Sequence, residues 1–215
     1  KRGGFGYNID ITQWQLAIFD RQTGQIFPQT DIYGSAMRPA LSPDGSRVAF
    51  IRDGDYSKDI ILASAVDGKR ISTLVEGERS GDLESLRYLY TAMDWSPDGS
   101  RIAFAAKRGG EDVLNLLDVD SRRIVASLEL DFDAIYSPAW HPSGRRIAFS
   151  GIRGGDSDLF VVDLETQAVE RLTNDEHMAR FFRRWRGVAV PLGFACNRRI
   201  GNAGHPVVPQ PAAQT

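Results

Sequence analysis

Leu41-Ser-Pro-Asp-Gly-Ser-Arg-Val-Ala-Phe50, Trp95-Ser-Pro-Asp-Gly-Ser-Arg-Ile-Ala-Phe104 and Trp140-His-Pro-Ser-Gly-Arg-Arg-Ile-Ala-Phe149 are one sentence written three times. Each copy holds a turn and the start of a strand. In Ser42-Pro43-Asp44-Gly45 the proline presets φ at the second turn position, the aspartate suits the third, and glycine accepts the positive φ needed to leave the turn. Pro97, Asp98 and Gly99 repeat the arrangement, and Pro142 and Gly144 keep it with His141 and Ser143 substituted. After the turn, Val48 and Phe50 alternate with Ala49, as Ile102 and Phe104 do with Ala103, and Ile147 and Phe149 with Ala148. On a period of two, the bulky residues share one face and alanine holds the other. A strand so built belongs where sheets stack closely.

The spacing gives the architecture. It is 54 residues from Gly45 to Gly99 and 45 from Gly99 to Gly144, the period of a four-stranded propeller blade. Each copy is followed by a second apolar run closed by an aspartate: Ile60-Ile-Leu-Ala-Ser-Ala-Val-Asp67, Val113-Leu-Asn-Leu-Leu-Asp118 and Leu159-Phe-Val-Val-Asp163. Arg-Gly-Gly hairpins, Lys107-Arg-Gly-Gly110 and Arg153-Gly-Gly155, separate the second and third strands. More polar fourth strands follow through Ile124-Val-Ala-Ser-Leu128 and Val169-Glu-Arg-Leu-Thr173. This gradient from apolar to polar sets the first strand inside and the fourth at the rim. The closing aspartates Asp20, Asp67, Asp118 and Asp163 recur once per repeat, which assigns them to bonding turn amides. The longer first interval is accounted for by Glu78–Tyr90, expected as a loop insertion.

The predicted fold is therefore all-β, a partial propeller of four-stranded antiparallel blades, with about four to five blade equivalents in an open arc. Residues 1–35 read as the truncated end of a first blade, because Lys1-Arg-Gly-Gly4 repeats the hairpin motif and Leu16–Asp20 and Gln25–Phe27 match third and fourth strands. Blades follow at 36–84, 85–133 and 134–180. Residues 181–204 read as a degenerate partial blade: Trp185 follows Asp163 by 22 residues, as Trp140 follows Asp118, but the Pro-Asp-Gly turn is missing. A worn edge blade and a shifted reading frame both fit that stretch. The proline-rich 205–215 reads as a disordered tail.

Composition narrows the function. With 26 basic and 28 acidic residues the net charge is −2, which leaves no electrostatic footprint for nucleic acid. No apolar run approaches the ~18 residues of a membrane span. The lone cysteine, Cys196, excludes an internal disulfide. His141, His177 and His205 are scattered, and no Gly-x-Ser-x-Gly string offers a nucleophile elbow. Asp156-Ser-Asp158 and Asp131-Phe-Asp133 lack the glycine and distal glutamate of a calcium loop, so they read as solvated turns, and neither metal nor cofactor is expected. What varies between repeats is the connection from each fourth strand to the next first strand, and these connections cluster at one mouth of a propeller. They carry Asp31, Tyr33 and Met37; Glu84, Arg87, Tyr88 and Tyr90; Asp131, Phe132, Asp133 and Tyr136; and Asn174, Asp175, Glu176 and His177. Aromatics beside carboxylates suit a protein or peptide partner; the alternative is that the tyrosines cover blade edges and the acids are solvated.

Met93-Asp-Trp-Ser-Pro-Asp-Gly99 and Pro138-Ala-Trp-His-Pro-Ser-Gly144, with Ile-Ala-Phe, the Arg-Gly-Gly hairpin, Leu-Phe-Val-Val-Asp and Arg-Leu-Thr, resemble the WD-like propeller repeat of TolB and its relatives. The resemblance covers about residues 1 to 200. It implies a non-catalytic binding platform, periplasmic or extracellular, completed by further blades of a parent chain; in TolB the propeller contacts the peptidoglycan-associated lipoprotein. It marks scaffold positions only and transfers no contact residue. Similar repeats form the gating propellers of prolyl-oligopeptidase-type serine peptidases, which is the competing expectation. A carbohydrate or calcium-dependent lyase propeller would need basic and metal-ligating residues converging on the axis, a pattern the sequence does not display.

Overall fold

The computed structural model describes residues 14–19, 22–28, 34–54, 58–77, 83–86 and 92–173. All regular structure in them is strand. A short hairpin of β1 (Ala17–Phe19) and β2 (Ile26–Pro28) precedes three antiparallel sheets. The first is β3 (Ser35–Leu41), β4 (Arg47–Asp53), β5 (Lys58–Ser64) and β6 (Arg70–Glu76), paired in chain order. The second holds β7 (Ser85–Leu86) and β8 (Asp94–Trp95), both on β9 (Arg101–Arg108), then β10 (Glu111–Asp118) and β11 (Arg123–Leu128). The third is β12 (Ala134–Trp140), β13 (Arg146–Arg153), β14 (Asp156–Asp163) and β15 (Val169–Arg171). These are successive blades, and they do not close into a ring. The segments 181–204 and 205–215, Asp20 and Cys196 lie outside the described residues.

The turn motif folds as its residues dictate. Gly45, Gly99 and Gly144 have φ of 73°, 70° and 71°, and each amide donates to the carbonyl three residues back, Ser42, Ser96 or His141, at 2.8–2.9 Å. Asp44 and Asp98 accept from the flanking hydroxyls of Ser42 and Ser96 and from the Ser46 and Ser100 amides. In the third blade His141 Nδ1 takes over, accepting the Ser143 amide at 3.1 Å with the Ser143 hydroxyl 2.8 Å away. The substituted residues preserve the turn by different atoms.

Small against large is how the blades stack. Ala49 and Ala40 of the first blade lie in one core with Trp95, Ile102 and Phe104 of the second. Ala103 and Ala105 of the second lie in another with Trp140, Ile147, Phe149 and Phe160 of the third. Val48 and Phe50 carry the same relation backward, packing with Ile61, Ala63 and Leu16. Alanine lets the neighbouring sheet approach closely enough for the Ile and Phe side chains to fill the gap at native density. In the first blade β4 and β5 are more buried than β3, which exposes Arg38, Pro39 and Leu41, whereas in the third β12 is as buried as β13 and β14 and β15 is exposed throughout.

The insertion also differs from expectation. In the first and third blades three residues separate the inner-strand positions Ala36 and Ala40, or Ile135 and Ala139, with a one-residue bulge at Arg38 (φ 54°) or Ser137 (φ 49°). In the second, seven separate Leu86 from Asp94, although both still pair with β9. Four of the extra residues thus fall between β7 and β8, where the first and third blades carry a one-residue bulge, and the others precede β7.

One glycine is held by packing. A Cβ on Gly151 would lie 2.7 Å from Phe132 Cδ1 and 3.1 Å from Phe160 Cδ2. Gly151→Ala is expected to lower stability by about 1–3 kcal/mol, read by urea denaturation, because neither ring can move without displacing the other.

Candidate functional site: the loop face

Antiparallel order sends the connections from fourth to first strand and the hairpins between second and third strands to the same end of each blade. Hydrogen bonds join the two sets. Glu84 donates its amide to the Lys107 carbonyl at 2.8 Å and its carboxylate accepts the Gly110 amide at 3.1 Å. One blade later Asp133 donates to the Ile152 carbonyl and accepts the Gly154 amide, both at 2.8 Å. Each incoming loop thereby caps the Arg-Gly-Gly hairpin of its own blade with an acid. These bonds fix Glu84 and Asp133 in place, and the hairpin glycines supply the positive φ that the turn requires.

Arg153 organises the third loop. Its guanidinium donates to the Asp131 carbonyl at 2.9 Å and the Leu130 carbonyl at 3.0 Å, sits 4.2 Å above the Phe132 ring and lies 3.9 Å from the Asp131 carboxylate. Phe132 is 6% exposed and meets Phe149 and Phe160 edge-on, with ring centroids at 5.2 and 4.6 Å. Its expected place at a partner surface is therefore corrected. An aromatic flanked by acids in a loop here points inward, because the hairpin arginine covers its outer face. Asp131, in the left-handed region at φ 55°, has a fully exposed side chain.

Of the other residues proposed for the loop face, Met37 and Tyr136 lie half-buried on β3 and β12. Tyr33, Tyr88, Tyr90, Asp175, Glu176 and His177, with Asp31, Arg87 and Asn174, lie outside the described residues. Asp156 and Asp158, read from the sequence as part of a solvated turn, instead begin β14, with Asp158 buried, and they line a cleft of about 170 Å³ with Arg153, Phe160, Val169 and Arg171. There Arg171 and Thr173 hold the buried Asp158 carboxylate. Asp59, the matching position of the first blade, is held by Arg52. Both aspartates stand two residues before the residue paired with the motif phenylalanine, Ile61 or Phe160, which was the signal available in the sequence.

At the opposite end the closing aspartates act as turn caps. Asp118 Oδ1 accepts the Ser121 amide at 2.8 Å, and Asp163 Oδ1 accepts the Glu165 and Thr166 amides at 3.0 and 3.1 Å. The Ser64 hydroxyl at Asp67, the Ser121 hydroxyl at Asp118 and the Thr166 amide at Asp163 lead the bonds that hold these carboxyls below their usual range. Their contribution is present above that range and is lost as the pH falls through the lowered values. No cluster of three or more histidine, cysteine or acidic side chains suited to a metal occurs among the described residues.

The architecture recurs in solved structures. A TolB from Acinetobacter baumannii superimposes with a TM-score of 0.62 at 22% identity, over 75% of this chain and 38% of that one. A TolB structure from Agrobacterium tumefaciens gives 0.60 at 19% identity, over 77% and 58%. The fold is that of a TolB-type propeller. This chain thus spans less than two thirds of either protein. The tricorn protease matches more distantly, at 0.51 and 17% identity over 70% of this chain and 16% of that one. No protein-family model and no curated protein matches the sequence.

Proposed function

We propose that this chain is a non-catalytic scaffold that binds a protein or peptide at its loop face, outside the cytoplasm, in the manner of a TolB-type propeller. The observation that carries the reading is the contrast between the two kinds of sequence in each blade. Turn, alanine face and Ile/Val-Ala-Phe strand are held constant, while the loops capping the Arg-Gly-Gly hairpins differ in length and residue type. A rigid support presenting variable loops is a general design for recognition. Exposed Asp131 and the half-buried Tyr136, with Tyr33, Tyr88, Tyr90, Asp175, Glu176 and His177, are the proposed contacts; the exposed Asp133 caps the hairpin beside Asp131, and the buried Phe132 anchors the loop that carries both. Replacing Tyr88, Tyr90 and Asp131 together by alanine should abolish partner binding measured by calorimetry while the thermal midpoint stays within a few degrees. Unchanged binding, or peptide hydrolysis by the purified chain, would overturn the reading.

The similarity to the tricorn protease supports a second reading, in which these blades gate a serine peptidase whose hydrolase domain lies elsewhere in the parent protein. A Gly-x-Ser-x-Gly motif in the flanking reading frame would favour it, and further Trp-Ser-Pro-Asp-Gly repeats beside a secretion signal would favour the binding scaffold.

A further inference from the structure

β12, the inner strand of the third blade, is tied to the second blade by an acid near each end. Away from the loops, Asp94 stands where the neighbouring blades have Ala40 and Ala139, and its Oδ2 accepts the Trp140 amide at 2.7 Å. At the loop end Asp112 of β10 accepts the Ile135 amide through Oδ2 at 3.1 Å, and both residues are buried.

The place of Asp112 in the repeat gives that bond its meaning. It lies six residues before the closing Asp118, as Trp14 lies six before Asp20. Ile135 stands opposite Gly151, two residues past the motif's Phe149, and Ala36 stands opposite Arg52, two past Phe50. The Ala36 amide donates to the Trp14 carbonyl at 2.6 Å. The same pair of positions is thus joined on entry to the first blade by a main-chain carbonyl and on entry to the third by a side-chain carboxyl. On entry to the second blade the matching residue is Lys58, six before Ser64, which faces Arg47 as Asp118 faces Arg101. A lysine side chain has no acceptor to offer.

We propose that Asp112 is a positioning residue for the third recognition loop: from the second blade it sets where β12 begins, and with it where Asp131 and Tyr136 meet a partner. The role presupposes the loop-face contact proposed above. The loop's bonds with Arg153, Ile152 and Gly154 run to the hairpin of its own blade and fix its shape. Its place relative to the second blade is a separate matter. Apolar packing between the blades is non-directional, whereas a hydrogen bond constrains β12 along its own length. A contact surface assembled from loops of successive blades needs that constraint, because productive geometry tolerates only about 0.5 Å.

Two replacements separate the bond from the bulk of the side chain. Asp112→Asn keeps an oxygen acceptor, and Asp112→Leu keeps a similar volume without one. In the whole chain, amide hydrogen exchange at Ile135 should quicken about tenfold in Asp112→Leu and stay within about threefold of wild type in Asp112→Asn, with the Trp140 amide unchanged in both. Photocrosslinking to the partner from a benzophenone side chain at Asp156 should fall about tenfold in Asp112→Leu and recover in Asp112→Asn. The proposal is overturned if Ile135 exchange does not change in Asp112→Leu, if Ile135 and Trp140 quicken equally, or if the wild-type adduct persists undiminished in that variant. Absence of the adduct from the wild-type chain would refute the loop-face contact itself, and the role with it. Should Asp112→Leu fail to fold, NMR of the wild-type protein decides: a scalar coupling between the Ile135 amide nitrogen and the Asp112 carboxyl carbon is expected, and its absence would overturn the proposal.

Discussion

Phe149→Ala should destabilise the protein by about 4 kcal/mol and lower its thermal midpoint by roughly 10 °C. Phe149 is the last residue of the repeated motif in the third blade and is almost completely buried. Its ring stacks on Phe160 at 5.8 Å and receives Phe132 edge-on at 5.2 Å, within the core that also holds Ala103 and Ala105 of the second blade. Truncation removes the transfer energy of the ring and leaves a void that Gly151, pressed against Phe132 and Phe160, cannot fill. Val125→Ala, at a half-exposed position on β11, should cost no more than about 0.5 kcal/mol. Calorimetric scans of both variants check the pair. A small effect at Phe149 would mean that the third blade does not pack on the second as described.

The second large effect lies at the tryptophans. Trp95 is buried between the first two blades, donates its indole N–H to the Ala40 carbonyl and lies beneath the Arg47 guanidinium, whose carbon is 5.2 Å from the ring centroid. Arg47 continues across the same boundary to the Gly99 carbonyl at 3.3 Å. Trp95→Phe therefore loses the inter-blade hydrogen bond and should cost about 1–2 kcal/mol, and Trp95→Ala about 4 kcal/mol. Trp140 occupies the same place in the motif, but its buried indole nitrogen has no hydrogen-bond partner among the described residues. Trp140→Phe should accordingly cost less than Trp95→Phe. Urea midpoints of the two Phe variants, measured side by side, test whether the inter-blade bond, and not the tryptophan as such, carries the energy.

The fold was legible because its determinants are local and repeated. Pro43, Asp44 and Gly45 encode a turn, and the alternation through Val48, Ala49 and Phe50 encodes both a strand and the unequal faces by which blades nest. Asp118 and Asp163 were readable as turn caps for the same reason. The loop face was less legible. A loop aromatic can point to solvent or into the core, and the choice at Phe132 depends on Arg153, 21 residues away in sequence. Asp133 and Glu84 look like surface acids until the hairpins they cap are placed beside them. Asp94 was passed over as part of the motif's flank, since only the pairing of three inner strands reveals that its equivalents are alanines. The widened inner strand was hidden because insertion length alone does not say where the extra residues leave the ladder.

The measurement closest to the central claim is site-specific photocrosslinking with a benzophenone side chain placed at four exposed positions in the native host. Asp131 and Asp156 sit at the loop face, and Val66 and Glu165 sit in the turns at the opposite end. The account predicts one discrete protein or peptide adduct from Asp131 and Asp156 and none from Val66 and Glu165. The same adduct from the opposite end, or no adduct from either, would contradict it.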